Sequence, residues 1–523
     1  MPASRQSLRL SLFLFVLALL MFGLRLGLGS LYDWDEAWYG QVVKEMLRSG
    51  DWVTLQWRGA PFFDKPPLAI WAIALSFKLF GASEWAARLP SALCASACVP
   101  ALFWIGGMVF ERQRAALLSA LVLLTSLPFV KAGRMAMLDA PLALAFTLGI
   151  GAFVASKRNP RWAIGFGLAL AAVWMIKGPL AILLTLICLG FALWERKAYA
   201  WSSPWLLLGI ALGAACVAPW YAAQWTRYGM EFVQNHLGVH VLGRASSAMD
   251  GHRGGPWFYL VQLAAQLHPW FFALVPAALY AWRRRESTAI RLAVCWGGGV
   301  FVAFSLAATK LPWYVVPMYP GLALLIGGYL DHLLARKVPA RALGRAWQGL
   351  GTLLLIAGIP YLLLSPTPGD RGYVFGVAVL GLGLLLGGAR LSGPRFQQGP
   401  WLVVASAYLA FLALIPANLQ WETRFSPDLH PFAAVAAEHV PATRGINYLG
   451  ATTRPSFVYY LDRSERLVTA DVLAAAWAPG ETALLREDEW AALAPRLAGA
   501  QVSASASGMV FVTAPVASES VER

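Results

Sequence analysis

The feature that most constrains this chain is a succession of long apolar segments. A membrane-spanning helix needs roughly 17 to 25 residues to cross about 30 Å of hydrocarbon, and thirteen runs approach that length, near 10–29, 86–109, 115–130, 140–156, 162–176, 179–194, 204–222, 257–281, 289–308, 312–330, 346–365, 373–389 and 400–418. With 58% hydrophobic and 13% charged residues, the chain cannot cover a water-soluble surface. It is predicted to be a mainly α, polytopic membrane protein with about thirteen transmembrane helices, or one fewer if 162–194 is a single kinked span.

Basic residues mark one side of this predicted bundle. Lys and Arg outnumber Asp and Glu by 42 to 27, and they cluster in alternate short connections, as the positive-inside rule predicts for cytoplasmic loops. The net charge therefore reflects membrane topology and does not indicate a nucleic-acid partner. The opposite side receives the segments 30–85 and 223–256 and everything after about 419. Residues 1–29 are predicted to be an uncleaved anchor, because no A-x-A-like cleavage site follows their apolar run.

The composition changes after the last apolar run. Residues 425–523 carry seven Arg against eleven Asp and Glu, a net charge of −4. Strand-like segments at 446–449, 456–460, 482–485 and 509–513, with helical patterns at 432–438 and 489–497, predict a small α/β domain on the outer side. The chain is thus divided into a transmembrane domain over 1–420 and an α/β domain over 425–523. No nucleotide-binding loop occurs in the second domain, which is either a structural cap or a direct contributor to substrate binding.

The first outer loop, 30–85, gathers polar residues next to the membrane. It begins with Asp33, Asp35 and Glu36, three carboxylates that repel one another and gain nothing from the bilayer, which favours a catalytic use. An amphipathic pattern over 35–49 predicts a helix lying along the interface, and a second amphipathic stretch runs to Phe80. For the charged residues of the first stretch (Lys44, Glu45 and Arg48) the favoured interpretation is a solvated role in an interfacial anchor.

Cations from several outer connections are predicted to converge on this loop. Asp64 and Lys65 precede the stiff Pro66-Pro67 pair, and a lysine suits a phosphate. The other outer turns contribute Lys131, Arg134, Asp139, Lys177, Arg244, Arg253 and Lys310. An anionic substrate is the simplest explanation, whereas anchoring to lipid headgroups is the alternative for any single member. His236 and His240 have the i, i+4 spacing of a metal pair but lack the glutamate of H-E-x-x-H.

Separated motifs follow one another over roughly residues 1–420. They are Asp35-Glu36-Ala-Trp-Tyr39, Phe63-Asp64-Lys65-Pro66-Pro67-Leu68, Gly133-Arg134, Leu138-Asp139-Ala-Pro-Leu, Lys177-Gly-Pro, Gly255-Pro-Trp-Phe-Tyr and Lys310-Leu-Pro-Trp-Tyr314. In kind and in order they resemble the aminoarabinose-transferase and protein O-mannosyltransferase group of membrane glycosyltransferases. The chain departs from that group at Trp38, where the family often has Arg, and at Asp64, where it often has Glu.

This resemblance implies a GT-C fold and a sugar donor carried on a polyprenyl phosphate. Transfer to a lipid acceptor, such as a lipid A-like molecule, or to a protein acceptor would take place on the periplasmic side of the bacterial inner membrane, among membrane lipids. The family's catalytic aspartate falls on Asp35, with Glu36 beside it. Donor phosphate contacts fall on Lys65, Arg253 and Tyr314, to which Arg134 and Lys310 are added.

The remaining site assignments complete the predicted cavity. Its walls would include Asp33, Tyr39, Asp139 and Lys177. A divalent metal, reported for some members of the family, would fall on Asp64 and His252, and no nucleotide cofactor is implied.

The expected chemistry is displacement at an anomeric carbon with inversion. A polyprenyl phosphate is already a fair leaving group, so the protein must mainly stabilise charge on the departing phosphate. Asp35 would act as general base toward a hydroxyl acceptor, whereas positioning matters more for a phosphate acceptor. The competing class is a lipid or glycolipid transporter or flippase; such proteins commonly contain inverted repeats, and the sequence shows none.

Overall fold

Helices make up almost all of the chain up to residue 422 in the computed structural model, which describes residues 5–33, 35–243, 254–336, 338–364, 368–422, 428–441, 443–449 and 454–514. In chain order they are α1 (Arg5–Gly23), α2 (Asp35–Ser49), α3 (Leu68–Phe80), α4 (Glu84–Val109), α5 (Gln113–Leu124), α6 (Leu127–Arg134), α7 (Asp139–Ala155), α8 (Trp162–Lys177), α9 (Leu180–Glu195), α10 (Pro204–Val233), α11 (Phe258–Gln266), α12 (Phe271–Arg283), α13 (Thr288–Ala293), α14 (Gly299–Leu306), α15 (Tyr319–Arg336), α16 (Arg341–Leu364), α17 (Pro368–Ser392) and α18 (Gly399–Glu422).

The predicted apolar runs coincide with these helices. Within the described ranges, seven helices are long and apolar enough to cross a membrane, or eight if the bent pair of α5 and α6 forms one span. Other predicted runs coincide with the shorter apolar helices α7, α8, α9 and α12, and one more coincides with α16. The segment 162–194 is two helices, because Gly178 adopts a φ of 46° between α8 and α9. The polytopic, mainly helical fold is confirmed.

Small residues allow the helices to pack closely. A Cβ at Gly167 on α8 would lie 2.5 Å from the carbonyl carbon of Gly209 on α10, and one at Gly351 on α16 would lie 2.5 Å from the carbonyl oxygen of Gly381 on α17. Lipid tails are as apolar as helix side chains, so helix association in a membrane depends on such close contact. These glycines therefore stabilise the bundle.

The C-terminal domain is a five-stranded mixed sheet with short helices. Its strands are β3 (Ile446–Leu449), β4 (Glu465–Val468), β5 (Thr482–Arg486), β6 (Gln501–Ala506) and β7 (Met509–Thr513), in the order β4-β3-β5-β7-β6. β3 pairs in parallel with β4 and β5, and β7 pairs antiparallel with β5 and β6. The helices are α19 (His430–His439), α20 (Pro455–Leu461), α21 (Ala470–Ala476) and α22 (Glu487–Leu493). The predicted α/β fold of this domain is confirmed.

Two details of the domain differ from the sequence prediction. The segment 456–460, predicted as a strand, is helical in α20, because Pro455 suits the first helical position and the carboxylate of Asp33 accepts the N–H of Ser456 at 3.1 Å. A tertiary contact thus overrides the strand propensity of the aromatic and β-branched residues. The strands β4 and β6 were not predicted; both lie at sheet edges, and β6 consists mainly of small and polar residues.

The first outer loop contains α2, a two-stranded hairpin of β1 (Gln56–Trp57) and β2 (Ala60–Pro61), and α3. The apolar side of α2 is buried inside the protein, with Val42, Val43 and Met46 fully enclosed. Its polar side is also engaged. The Lys44 ammonium donates to the Tyr459 carbonyl at 2.8 Å, and Glu45 accepts the N–H of Arg58 at 3.0 Å.

The solvated role predicted for Lys44 and Glu45 is therefore wrong. The third charged residue, Arg48, is exposed and pairs with Asp462 of the C-terminal domain at 2.6 Å. The helix α2 is packed between the membrane domain and the C-terminal domain.

Candidate functional site

The three carboxylates of the acidic turn (Asp33, Asp35 and Glu36) have three different environments. Asp33 accepts hydrogen bonds from the backbone N–H and the hydroxyl of Ser456, at 3.1 and 3.0 Å. Glu36 is fully buried. Asp35, the first residue of α2, is half-buried and accepts a bond from the Tyr39 hydroxyl at 3.3 Å. Asp35 is thus the carboxylate of the turn that is engaged neither with the C-terminal domain nor in a buried ion pair, among the contacts that the structure describes.

Glu36 forms a buried ion pair with Arg88. The Nε and Nη2 atoms of Arg88 each lie 3.0 Å from a Glu36 carboxylate oxygen, and Glu36 also accepts the N–H groups of Tyr32 and Ala136, at 2.9 and 2.5 Å. Arg88 donates further to carbonyl oxygens of the segment 26–30. A carboxylate with no exposed surface cannot touch an acceptor, so the structure gives Glu36 a positioning role and corrects the prediction that it joins Asp35 in catalysis.

A second acidic residue lies within electrostatic reach of Asp35. Asp139, the first residue of α7, is 1% exposed and accepts a hydrogen bond from the Lys177 ammonium at 2.7 Å. The charges of Asp35 and Lys65 both act on the Asp139 carboxylate, and the Lys177 ammonium lies 5.5 Å from the centre of the Tyr314 ring. Asp139, Lys177 and Tyr314, from three segments of the chain, therefore lie together, within electrostatic reach of Asp35 and Lys65.

The loop that carries Lys65 packs against the C-terminal end of α10 and the residues that follow it. The ring of Phe63 makes edge contacts with Tyr228 and Phe232, at centroid distances of 5.2 and 5.6 Å. The carbonyl of Phe63 lies 2.7 Å from Nδ1 of His236, whose Nε2 lies 3.1 Å from the Tyr221 hydroxyl. Both ring nitrogens of His236 are therefore occupied by protein, which argues against the metal pair suggested by its spacing to His240.

The same helix α10 also braces the loop after α2. An Nη1 atom of Arg227 donates to Asp51 at 2.5 Å and to the Thr54 hydroxyl at 2.7 Å. Burial would raise the pKa of Asp51, but hydrogen bonds from the N–H groups of Thr54 and Val53 and from Arg227 outweigh it, and the pKa is lowered. The Asp51 carboxylate therefore remains a charged anchor for this loop at neutral pH.

Two predicted phosphate ligands lie at the ends of helices. Lys310 is 4% exposed, and its ammonium donates, at 2.8, 2.6 and 2.5 Å, to the carbonyl oxygens of Phe304, Ser305 and Ala307. A cation stabilises the carbonyl end of a helix, so the structure assigns Lys310 to the end of α14 and corrects its prediction as a phosphate ligand. Arg134 donates from Nη1 to the carbonyls of Met21 and Phe22 at the end of α1.

Three basic residues of the predicted site, Arg244, His252 and Arg253, lie outside the described residues. Arg253 as a phosphate ligand and His252 as a metal ligand therefore stay predictions. In the part of the chain that the structure describes, no three His, Cys, Asp or Glu side chains come together as a group that could hold a metal ion. The divalent metal on Asp64 and His252 therefore stays a prediction as well.

Sequence reasoning missed Arg88 as a site residue, together with Ser456 and Tyr460 of the C-terminal domain. Arg88 had a recognisable signal, because a charge within an apolar helix is costly and usually has a role. Ser456 had none, since its partner Asp33 is 423 residues away in the chain.

Comparison with known proteins places these features in a family. The model of the dolichyl-phosphate-mannose-protein mannosyltransferase family matches residues 64–222. The undecaprenyl phosphate-alpha-4-amino-4-deoxy-L-arabinose arabinosyl transferase 2 of Pseudomonas fluorescens (strain Pf0-1) is 31% identical over 482 residues, which cover 87% of this chain and 84% of that protein. A transferase of the same name from Pseudomonas paraeruginosa is 29% identical over 437 residues, covering 79% and 76%.

Solved structures share the fold. ArnT from Cupriavidus metallidurans bound to undecaprenyl phosphate superimposes with a TM-score of 0.81 at 23% identity, covering 96% of this chain and 97% of that one. The archaeal oligosaccharyltransferase AglB from Archaeoglobus fulgidus gives 0.50 at 11% identity, covering 92% and 70%. The fold and its grouped acids and cations define a GT-C membrane glycosyltransferase. The chain belongs to the family of undecaprenyl phosphate-aminoarabinose arabinosyl transferases, which confirms the resemblance seen in its sequence.

Proposed function

We propose that this protein transfers an aminopentose from undecaprenyl phosphate to a lipid acceptor of the lipid A kind, on the periplasmic face of the bacterial inner membrane. The names of the relatives support the donor. The basic connections support the orientation, because they are expected on the cytoplasmic side. The observation that carries the proposal is the Asp139–Lys177 pair, which lies beside Tyr314 and within electrostatic reach of Asp35 and Lys65.

The cations of this region suit the donor phosphate. Lys65 lies on a loop that the Pro66-Pro67 pair stiffens, and its Nζ donates to the Asp64 carbonyl at 3.3 Å. A lysine held at the membrane surface can neutralise charge on a departing phosphate, together with Tyr314 and Arg253. Lys177 is already paired with Asp139, so its role is to orient the neighbouring groups.

The reaction is a displacement at the anomeric carbon. An acceptor oxygen forms a bond to that carbon while the bond to the phosphate oxygen breaks, and the phosphate leaves with the electron pair. When the acceptor is a hydroxyl, its proton passes to the Asp35 carboxylate; when it is a phosphate, Asp35 orients it. Attack opposite the leaving group inverts the anomeric centre.

A transfer assay with purified protein tests this proposal. Radiolabelled undecaprenyl phosphate-aminoarabinose and lipid A are the probes, and the product is labelled lipid A. Asp35→Asn should lower turnover by about 10²-fold or more, which is the effect expected from losing a group that orients or deprotonates the acceptor. Its thermal unfolding should match the wild type, since the change preserves shape at a half-buried position.

The matched control is Glu438→Gln, which removes an exposed carboxylate from α19 of the C-terminal domain and should leave turnover unchanged. Wild-type turnover in Asp35→Asn would refute the catalytic role of Asp35. No label transfer by the wild type would refute the donor.

A further inference from the structure

The helix α20 of the C-terminal domain lies directly against the acidic turn. Oδ1 of Asp33 accepts the backbone N–H and the hydroxyl of Ser456, at 3.1 and 3.0 Å, and Oδ2 lies 3.7 Å from Nε of Arg454. Asp33 therefore satisfies a free N–H at the start of α20. In return, the C-terminal domain fixes the position of Asp33.

A second residue of α20 fixes the chain just before the turn. The Tyr460 hydroxyl donates to Glu84 Oε1 and accepts the N–H of Leu31, both at 2.7 Å. The Ser30 hydroxyl donates to Oδ1 of Asp428, at 3.1 Å. The segment 30–33 is thus held along its length by residues of the C-terminal domain.

The residue on the other side of Asp35 is fixed by the membrane domain. Glu36 is bound by Arg88 of α4 and by the N–H of Ala136. Asp35 itself accepts a bond from Tyr39 at 3.3 Å, which is long for an O–H to oxygen hydrogen bond. The placement of Asp35 therefore depends on neighbours tied to two separate parts of the protein.

We propose that the C-terminal domain is a positioning element of the active site, in which Ser456 and Tyr460 set the place of Asp35 by holding residues 30–33. This inference rests on the proposed role of Asp35. Small displacements of a reacting group are costly, and about 1 Å can lower a rate by about 10²-fold. Through Ser456, the domain contributes to turnover without touching the substrate, which differs from both roles considered for it on sequence grounds.

The test compares variants of the Asp33–Ser456 contact in the full-length protein. Ser456→Ala removes a hydrogen bond to a charged group, so kcat should fall by about tenfold while KM for the labelled donor stays unchanged. Ser456→Thr keeps the hydroxyl and should restore kcat. The double variant Asp33→Asn/Ser456→Ala should be no slower than Asp33→Asn alone, because both changes break one contact.

The control breaks a different contact of the same interface. Arg48 lies at the far end of α2 from Asp35 and pairs with Asp462, so Arg48→Gln should keep kcat within about twofold, as expected for an exposed ion pair. Thermal unfolding establishes that each variant is folded. If Ser456→Ala fails to fold, Tyr460→Phe replaces it in the test. Tyr460→Phe removes the hydrogen bonds to Leu31 and Glu84 and should likewise lower kcat without changing KM for the donor.

Three results would overturn the inference. They are an unchanged kcat in Ser456→Ala, a rise in donor KM without a fall in kcat, and an equal loss of kcat in Ser456→Ala and Arg48→Gln. If Asp35→Asn is inactive, each of these results overturns only the positioning role of the C-terminal domain, and the proposed role of Asp35 stands. Full activity of Asp35→Asn is a separate result, which removes the proposed base and the inference together.

Discussion

At the scale of single residues, two lysines of the first outer loop have different surroundings. Lys44 donates to the Tyr459 carbonyl and lies 3.8 Å from the centre of the Tyr459 ring. Burial lowers the pKa of Lys44, more than the nearby Asp462 raises it. The charge of Lys65 instead reaches Asp139. Lys44 is therefore a structural contact between domains, and its substitution would not be a suitable control for the phosphate contact proposed for Lys65.

Lys65→Ala is expected to weaken use of the donor by roughly 2–5 kcal/mol, which is the cost of truncating one partner of a buried charge pair. The measurement is kcat/KM for labelled undecaprenyl phosphate-aminoarabinose. Lys78→Ala is the matched control, since Lys78 is an exposed lysine near the end of α3 in the same outer loop. Equal and small effects of both changes would contradict the phosphate contact and return Lys65 to the headgroup region.

At the scale of elements, the position of α2 depends on a glycine. A Cβ at Gly40 would lie 3.0 Å from the Leu31 side chain and 3.0 Å from the ring of Tyr459. Glycine inside a helix lowers helix stability by about 1 kcal/mol relative to alanine. A glycine at this position is therefore expected to allow a contact that offsets this loss. That contact is the close approach of α20 to α2, which brings Ser456 and Tyr460 to the acidic turn.

Gly40→Ala should therefore lower the thermal stability of the protein, because crowding against Tyr459 outweighs the gain in helix propensity. Gly107→Ala in α4 is the control, since a Cβ at Gly107 meets no atom within 4 Å and only the gain of about 1 kcal/mol should remain. Thermal unfolding of the two variants measures the difference. A Gly40→Ala protein that is more stable than the wild type would contradict this prediction, because it would show that α2 and α20 can move apart without lowering thermal stability.

At the scale of the whole molecule, the C-terminal domain also contacts the hairpin that precedes Lys65. The guanidinium of Arg58 contacts the carboxylate of Glu465 on β4, and both side chains are largely buried. Burial raises the pKa of Glu465 to about 7, against the opposing effect of Arg58. In the docked domain, the Glu465 carboxylate thus binds a proton more tightly than it would when exposed to water. Docking of the domain is therefore linked to pH.

The sign of this linkage follows from the raised pKa. The stabilising contribution is fully present below the ordinary glutamate value of 4.5 and is lost as the pH rises through about 7, with a slope of at most about 1.4 kcal/mol per pH unit. Thermal unfolding of wild type and Glu465→Gln between pH 5 and 8 measures it. The variant should lose part of the pH dependence, whereas Glu438→Gln should keep it. Parallel curves for wild type and Glu465→Gln would contradict the linkage.

Much of the fold could be predicted from local patterns. The helices α2 and α4 and the strands β5 and β7 lie close to where hydropathy and periodicity placed them. The candidate site was predictable in part: Asp35, Lys65, Asp139 and Lys177 were singled out, and the structure pairs Asp139 with Lys177 within electrostatic reach of the other two. The roles of Glu36 and Lys310 were not predictable, because a charged residue has the same signature in a catalytic site, a buried ion pair and a helix cap.

The sequence by itself determined that this chain crosses a membrane many times, carries a small α/β domain and gathers acids and cations in a few loops, because each of these properties is set by residues that are neighbours in the chain. Only the tertiary structure decided which charges are exposed and which are paired. Glu36 meets Arg88 across 52 residues, and Asp33 meets Ser456 across 423. The physical reason is that a local sequence pattern specifies which side chains lie on each surface of a helix or strand. The hydrogen-bond and ion-pair partners of a charged side chain are determined only when distant surfaces pack together and polar groups leave water.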